Sequence, residues 1–174
     1  MTRPGGLLRL TGIAVFSLAL QGQGGPIAAT AAETTPAEIA AAFCATRLVG
    51  DDEEVRALLT PSLLAAIGEA EDRNLAAMEA APDEKPPFGD GIPYQSFPDL
   101  PDGCAAGAES PTGEAVRIAV DLSFRDAPTA GWRDTLLLVP ADGVYRIDDI
   151  EFRGAPDGSD APTLRQILRE AFDN

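Results

Sequence analysis

The regular alternation of apolar and polar residues over 114–124 is the feature that most constrains the fold of this chain. Its large apolar side chains occupy every second position: Val116, Ile118, Val120, Leu122 and Phe124. Neighbouring side chains of a β-strand point to opposite faces, so the pattern predicts a strand with one face on a core and the other in water. Such half-solvated strands are typical of antiparallel sheets.

Three further strand patterns surround this segment. A weak strand begins at Cys104, and stronger patterns cover 132–140 and 144–152. The Asp142-Gly143 pair between the last two tolerates the positive φ that a tight hairpin requires. The chain is therefore predicted to contain a four-stranded antiparallel meander.

Helical patterns lie on both sides of the meander. Thr35 and Glu38 have the spacing of a capping box, which predicts a first helix that ends at Gly50. Two further helices are predicted before Pro82, and a short C-terminal helix is predicted over 163–172. One side of the third helix carries Leu64, Ile67, Glu71, Leu75 and Met78. This order of elements predicts an α+β domain with the helices packed on one face of a curved sheet.

Residues 1–31 have the layout of a secretory signal peptide. Two arginines and no acid precede an apolar run over 10–20, and small residues up to Ala31 and Ala32 offer a cleavage site. A bilayer span takes about twenty apolar residues, so this run is too short, although an uncleaved anchor stays open as the alternative. We expect a single domain over 32–174, periplasmic or secreted, with no membrane attachment after cleavage.

The strongly acidic composition limits the partners of the chain. It has 28 acidic and 13 basic residues and a net charge of −15, and removal of the signal peptide makes the charge more negative. Because nucleic-acid affinity depends on basic side chains, binding to nucleic acid is not expected. The acidity favours either attraction to a basic protein partner or a cation, or simply high solubility.

The chain contains two cysteines, Cys44 and Cys104. An even number in an exported protein favours a disulfide, which would tie the first helix to the start of the sheet. Two buried free thiols are the alternative. A nucleophilic cysteine is not expected in either case.

Residues 82–103 form a long connector rich in proline and glycine. Loops of this length inside a compact domain are commonly functional. Phe88, Tyr94 and Phe97 are expected to anchor the loop to the body of the domain. Tyr94 and Glu84 are also candidate ligand-binding residues, although Glu84 equally fits a solvated ion pair with its neighbour.

The last strand contains a break in its alternation. Tyr145 and Ile147 share a face, but the next large apolar residue is Ile150. A β-bulge inserts one extra residue and shifts the phase in this way, so either Asp148 or Asp149 is predicted to be the extra residue. Asp149 then either accepts hydrogen bonds from local backbone amides or lines a pocket as an acid or base.

Three segments of the chain resemble an uncharacterised group of exported bacterial proteins. They are PDEKPPFGDG, GVYRIDDIEF and TLRQILREAF, and the resemblance extends over about residues 36–172. Its most specific part is an aromatic-x-Ile-Asp-Asp-Ile signature, in which Tyr145 stands where tryptophan is expected. The group belongs to the nuclear-transport-factor-2-like superfamily, also called the cystatin-like cone. The resemblance implies a curved sheet that wraps a helix and leaves a conical pocket, but it implies no activity.

The absence of histidine excludes several classes of catalysis. The chain has no Ser-His-Asp triad, no histidine-assisted cysteine and no HExxH zinc site. No nucleotide-binding motif occurs, and neither a metal nor a cofactor is expected. The remaining enzymatic chemistry is that of a carboxyl group whose pKa is raised by burial. The candidate acids are Asp149, Asp134 and Glu84, with Tyr94 or Tyr145 as a proton donor.

The strand over 132–140 contributes two candidate residues. Asp134 shares a face with Trp132 and is predicted either to point inward or to pair with Arg133 or Arg146 at an edge. Trp132 and Tyr145 are candidates to line a pocket, although a role in the core also fits Trp132.

Three functions are compatible with these observations. The favoured one is a non-catalytic exported domain that binds a small apolar molecule or serves as an accessory module. The second is an acidic inhibitor or immunity-type protein that binds a basic partner, and the third is a carboxylate-based isomerase, dehydratase or hydrolase. The polar sheet face around Arg117 and Asp121 is compatible with a monomer or a homodimer.

Overall fold

The structure is a computed structural model that describes residues 34–153 and 161–173. The predicted signal peptide, residues 1–31, lies outside the described residues. The described helices, α1 to α4, are Pro36–Val49, Asp52–Ala57, Pro61–Ala80 and Leu164–Glu170. The strands, β1 to β4, are Gly103–Thr112, Ala115–Ser123, Trp132–Ala141 and Val144–Glu151. The predicted α+β class is confirmed.

The first three helices have side-chain caps at their N-termini, and the cap of α1 is the predicted one. Thr35 Oγ1 accepts a hydrogen bond from Glu38 N, and the Glu38 carboxylate accepts one from Thr35 N, which completes the capping box of α1. Gly50 ends α1 with a φ of 69°, in the left-handed region that favours glycine. Asp51 and Thr60 cap α2 and α3 through their side-chain oxygens. Within the described part of the chain, no helix is long and apolar enough to cross a membrane.

The four strands form one antiparallel sheet in the order β1-β2-β3-β4, which confirms the predicted meander. The β3–β4 hairpin turns at Asp142 and Gly143, whose φ values are 53° and 81°. The alternation that predicted β2 is also confirmed, since its apolar side chains are buried: Val116, Ile118, Val120 and Leu122.

The last strand, β4, contains the predicted bulge. Leu138 pairs with Ile147 and Leu137 pairs with Asp149, so Asp148 is the extra residue. The buried apolar positions of β4 change phase across this residue, as the break in the alternation predicts.

The core lies between the helices and the inner face of the sheet. Its largest fully buried side chains are Phe43, Leu59, Leu63, Ile67, Ile118, Leu122, Leu136, Leu138, Ile147, Ile150, Leu164 and Leu168. All of these are apolar, and their removal from water is the main stabilising contribution of this region.

The predicted apolar side of α3 is only partly buried. Ile67 lies in the core together with Leu63, whereas Leu75 and Met78 are 56% and 47% exposed. The reason is tertiary, because α3 packs on β4 and α4, while its last turns face the loop around Phe88. The exposed apolar residues therefore border the loop.

Cys44 and Cys104 form the predicted disulfide, with 5.2 Å between their Cα atoms. The bond joins α1 to the beginning of β1 and links residues that are 60 positions apart in the sequence. Cys104 comes shortly after the long loop. This loop ends at Asp102, since β1 begins at Gly103.

Candidate ligand-binding site in the long loop

The loop over 82–102 is attached to the rest of the domain at three points, of which the first is Phe88. Its backbone N–H donates to Asn74 Oδ1 on α3 at 2.8 Å. Its ring packs edge-to-face on Phe172, with 5.6 Å between the ring centroids. This contact holds the loop between α3 and the C-terminal residues.

The second attachment point is Gln95, whose side chain is buried. Its Oε1 accepts a hydrogen bond from Arg47 Nε at 3.0 Å. Its Nε2 donates to the backbone carbonyls of Phe97 and Asp99 at 2.7 and 2.8 Å. One side-chain amide therefore shapes the turn of the loop and joins it to α1.

The third attachment point is a hydrogen-bond network around Asp134 on β3. Its carboxylate accepts from Ser96 N at 3.0 Å, from Ser96 Oγ, from Trp132 Nε1 at 3.0 Å and from Arg153 N at 3.1 Å. Hydrogen bonds to a charged acceptor are stronger than neutral ones. The network thus connects the loop, β3 and the segment after β4.

Asp134 points into the domain and is 1% exposed. Burial raises the pKa of its carboxyl group, while the hydrogen bonds that it accepts oppose this shift. The alternative edge pairs do not form: Arg133 pairs with Asp121, and Arg146 donates to a backbone carbonyl at the end of α2.

Trp132 belongs to an aromatic group beside this network. Its ring centroid lies 5.7 Å from that of Phe97 and 5.6 Å from that of Phe124. The two phenylalanine centroids are 5.9 Å apart. The loop therefore rests on the sheet through Phe97, and Trp132 is a support for the loop.

The three attachment points hold the loop around a cavity of about 490 Å³. Its wall includes Arg47, Phe88, Ile92, Tyr94, Phe97 and Leu100. Among the described residues, no strand residue belongs to this wall. The cavity thus differs in place from the conical pocket that the resemblance implies, since it lies under the loop.

The cavity has one buried positive charge, the guanidinium group of Arg47. Nη1 lies 2.6 Å from Asp52 Oδ1, Nε donates to Gln95, and the group lies over the Tyr94 ring at 6.0 Å from its centroid. Nη2 makes no hydrogen bond within the described residues. Every fully buried side-chain nitrogen or oxygen atom of these residues does have a hydrogen-bond partner. Nη2 is therefore not fully buried.

Tyr94 is the one predicted ligand-binding residue that the structure places in the cavity wall. Its side chain is buried, and its hydroxyl accepts a hydrogen bond from Arg56 Nη1 at 3.4 Å. Arg56 in turn forms a two-point ion pair with Glu71 at 2.8 and 3.1 Å. Burial raises the pKa of the Tyr94 hydroxyl, and the positive charge of Arg56 opposes the shift.

A second cavity of about 180 Å³ adjoins the first one at the same loop segment. Its wall includes Leu75 and Met78 of α3, and it shares Phe88, Gly91 and Ile92 with the first cavity. The exposed apolar residues that α3 does not bury in the core thus line this smaller cavity.

Large exposed hydrophobic side chains are concentrated around the two cavities. In the described residues they are Leu48, Val49, Leu75, Met78, Phe97 and Leu100. Four of these belong to a cavity wall, and Leu48 and Val49 lie between the wall residues Arg47 and Gly50. Concentrated apolar exposure of this kind is typical of interaction sites.

The two aspartates of the β4 bulge lie away from the walls of both cavities. Asp149 Oδ1 accepts from the backbone N–H of Ile150 at 2.9 Å and from that of Arg165 at 3.1 Å. These contacts agree with the alternative in which Asp149 bonds local backbone amides. They connect β4 to the first turn of α4.

Asp148 connects the same bulge to α3 and α4. Its Oδ1 accepts from Thr60 Oγ1 and Arg165 Nη2, both at 2.7 Å. Burial opposes the ionisation of Asp148, but these hydrogen bonds and the charge of Arg165 outweigh it, so the pKa of its carboxyl group lies below the usual range.

The remaining predicted ligand-binding residues are not in the cavity walls. Tyr145 is half-buried and packs against the core, and Glu84 is exposed. Trp132, Asp134 and Asp149 support the structure as described above. The sequence predicts that the loop is functional and that Tyr94 binds a ligand, and Tyr94 does line the first cavity, but most of the other wall residues were not predicted.

Arg47 and Gln95 were not predicted to belong to the site. For Arg47 the signal was available, because it lies four residues after Phe43 and thus on the buried side of α1. Gln95 and Ser96 have no comparable signal, since their partners Arg47 and Asp134 are distant in the sequence.

The arrangement is suited to binding. The wall combines aromatic and aliphatic side chains with a single buried cation. Within 34–153 and 161–173, no three acidic, cysteine or histidine side chains are grouped closely enough to hold a metal ion. Comparison with protein-family models, with curated proteins and with solved structures gave no match for this chain.

Proposed function

We propose that this chain is an exported domain that binds a small, mainly apolar molecule in the cavity of about 490 Å³ under the 82–102 loop. The cavity carries the proposal. Ligand sites commonly have volumes of roughly 300–1,000 Å³, with apolar and aromatic walls and a few polar groups. Phe88, Ile92, Tyr94 and Phe97 supply apolar surface, and the polar groups of the wall come from Arg47, Asp52, Asp90, Gln95 and Ser96.

The way the loop is attached supports this role. Its attachment points at Phe88, Gln95 and Ser96 are joined to α3, α1 and β3 respectively. A loop with three such attachments presents a cavity that is largely formed before a ligand arrives, which lowers the entropic cost of binding.

A non-catalytic role is favoured by the contacts of the candidate acids. Asp134 and Asp149 accept hydrogen bonds from backbone amides, and neither belongs to a cavity wall. A general acid or base must come within hydrogen-bond reach of the substrate proton. We therefore assign both aspartates to the support of the fold.

The export of the domain and its place in the cystatin-like cone superfamily belong to the same proposal. The disulfide of Cys44 and Cys104 supports an oxidising compartment. The bulge at Asp148 and the order of three helices, a meander and a short helix support the family resemblance.

Fluorescence of the neutral apolar dye N-phenyl-1-naphthylamine tests the binding proposal. We expect saturable binding of one dye molecule per chain. Ile92→Asp should weaken it by about tenfold or more, because Ile92 lines both cavities and a charge there is costly to bury. Val139→Asp is the matched control, since Val139 is also half-buried but lies on the sheet.

Two results would contradict the proposal. One is the absence of saturable dye binding to the folded protein. The other is an equal loss of binding in Ile92→Asp and Val139→Asp. Native mass spectrometry of the purified protein supplies a second measurement, because a retained small molecule would support the cavity as the site. Copurification of a basic protein instead would favour the acidic inhibitor.

A further inference from the structure

We infer that the molecule bound in the loop cavity is an apolar monocarboxylate, with its acid group on Arg47 and its hydrocarbon body along the aromatic wall. The inference rests on the proposed function and names the chemical class of the ligand.

The guanidinium group of Arg47 has N–H donors that make no hydrogen bond to the protein. Its guanidinium group carries five N–H donors, and Arg47 is only 6% exposed. Asp52 and Gln95 accept two hydrogen bonds, through Nη1 and Nε. Nη2 has no protein partner among the described residues and is not fully buried, and Arg47 belongs to the wall. An acceptor group of a ligand would complete its hydrogen bonds.

The charges around Arg47 favour a ligand group that is negatively charged. A buried cation requires a nearby anion. The carboxylate beside Arg47 belongs to Asp52, whose side chain is 54% exposed, so much of its charge is in contact with water. The other acid in the wall, Asp90, is paired with Lys85 and is largely exposed. The cavity is therefore better suited to an additional anion than to a cation.

A cationic head group is disfavoured at the Tyr94 face of the cavity. The face of Tyr94 is already taken by the Arg47 guanidinium group. A second cation at this position would meet a like charge, which is unfavourable. A carboxylate would instead form a charge-assisted hydrogen bond with Nη2.

The uncharged part of the wall is suited to an apolar ligand body. Away from Arg47 the wall includes the uncharged side chains of Phe88, Ile92, Phe97 and Leu100. The smaller cavity shares Phe88, Gly91 and Ile92 with this one, and its wall also includes Leu75 and Met78. A hydrocarbon chain or ring system would bury these apolar surfaces.

Isothermal titration with three probes of equal chain length tests the inference. The probes are dodecanoate, 1-dodecanol and dodecyltrimethylammonium, each below its aggregation concentration. We expect dodecanoate to bind as one molecule per chain, at least about tenfold more tightly than the alcohol, since a charge-assisted contact adds affinity. The ammonium compound should bind most weakly.

Variants of the guanidinium group and its neighbour locate the acid group. Arg47→Gln should lower the affinity for dodecanoate to that of the alcohol. Asp52→Asn should raise it, because the competing carboxylate is removed. Arg125→Gln is the control, since this exposed arginine makes only a backbone hydrogen bond in the described residues and should leave the affinity unchanged.

The outcomes separate the inference from the proposed function. If the alcohol binds as tightly as dodecanoate, the inference fails and the binding function stands. If no probe binds to folded protein, the binding function fails as well. If Arg47→Gln does not fold, Asp52→Asn decides the question: unchanged or lower affinity for dodecanoate overturns the inference.

Discussion

The helix–sheet core and the loop over 82–102 are stabilised by different interactions. The core side chains are aliphatic or aromatic, and the largest of them are fully buried. The loop is held by side-chain hydrogen bonds at Asn74, Gln95 and Asp134, and several of its apolar residues stay exposed. The core therefore supplies most of the stability, and the loop supplies the cavity.

The difference shows how a small domain separates the two tasks. Close packing leaves no room for a ligand in the core. Polar attachment points fix a loop at a few positions and leave space between them, which is why binding residues are commonly found on loops over a rigid scaffold. Three predictions test this separation, in order of decreasing effect.

Removal of the disulfide between α1 and the start of β1 should give the largest decrease in the free energy of unfolding. Replacement of Cys44 and Cys104 by serine should lower the free energy of unfolding by about 4 kcal/mol, because the unfolded chain loses the constraint of a long closed loop. Urea denaturation with and without a reducing agent measures this. An effect below about 1 kcal/mol, well under the usual range for native disulfides, would contradict the assignment of stability to this link.

A pair of substitutions compares the core and the loop directly. Leu136→Ala in the core should cost about 3 kcal/mol through lost burial and an unfilled cavity. Phe97→Ala in the loop should cost about 1 kcal/mol or less, since Phe97 is 44% exposed. The dye affinity should fall in Phe97→Ala and stay unchanged in Leu136→Ala under conditions where both are folded. Equal costs would remove the distinction between the regions.

The pKa values of Asp134 and Asp148 should be shifted in opposite directions, and this is the smallest of the expected effects. In carboxyl-carbon NMR, Asp134 should protonate at a higher pH than an ordinary aspartate and Asp148 at a lower pH. The stabilising contribution of Asp148 is present above the unfolded-state pKa of about 3.9 and is lost as the pH falls through its lower folded value. The stabilising contribution of Asp134 is present below the unfolded-state pKa of about 3.9 and is lost as the pH rises through its raised folded pKa.

Asp148→Asn separates these contributions. The acid side of the stability curve should become flatter below pH of about 4, because the variant no longer loses the charged contacts with Arg165. Asp121→Asn is the control on the exposed sheet face, where the ion pair with Arg133 is worth little. A flatter curve in both variants to the same extent would contradict the specific role of Asp148.

Much of the fold follows from short-range patterns. The capping box of Thr35 and Glu38, the hairpin at Asp142 and Gly143, and a bulge at Asp148 or Asp149 were all predicted from residues within a few positions of one another. Such features depend on backbone sterics and local hydrogen bonds, which a short segment carries in itself.

The site depended more strongly on distant contacts. The sequence indicated the loop and Tyr94, but the candidate ligand-binding residues also included Trp132, Tyr145, Asp149 and Glu84, which do not line the cavity. Whether a buried aspartate lines a pocket or supports a strand depends on which donors surround it. For Asp134 those donors come from Ser96, Trp132 and Arg153, two of which are far away along the chain.

The amino-acid sequence by itself determined the order of helices and strands, the phase change in β4 and the acidic character of the chain, because periodicity, capping and charge are local or additive properties. Only the tertiary structure decided that the loop encloses the cavity, that Arg47 meets Gln95 and that Leu75 and Met78 stay outside the core. These outcomes depend on which surfaces meet when the elements pack, and a residue's neighbours in space are not fixed by its neighbours in the chain.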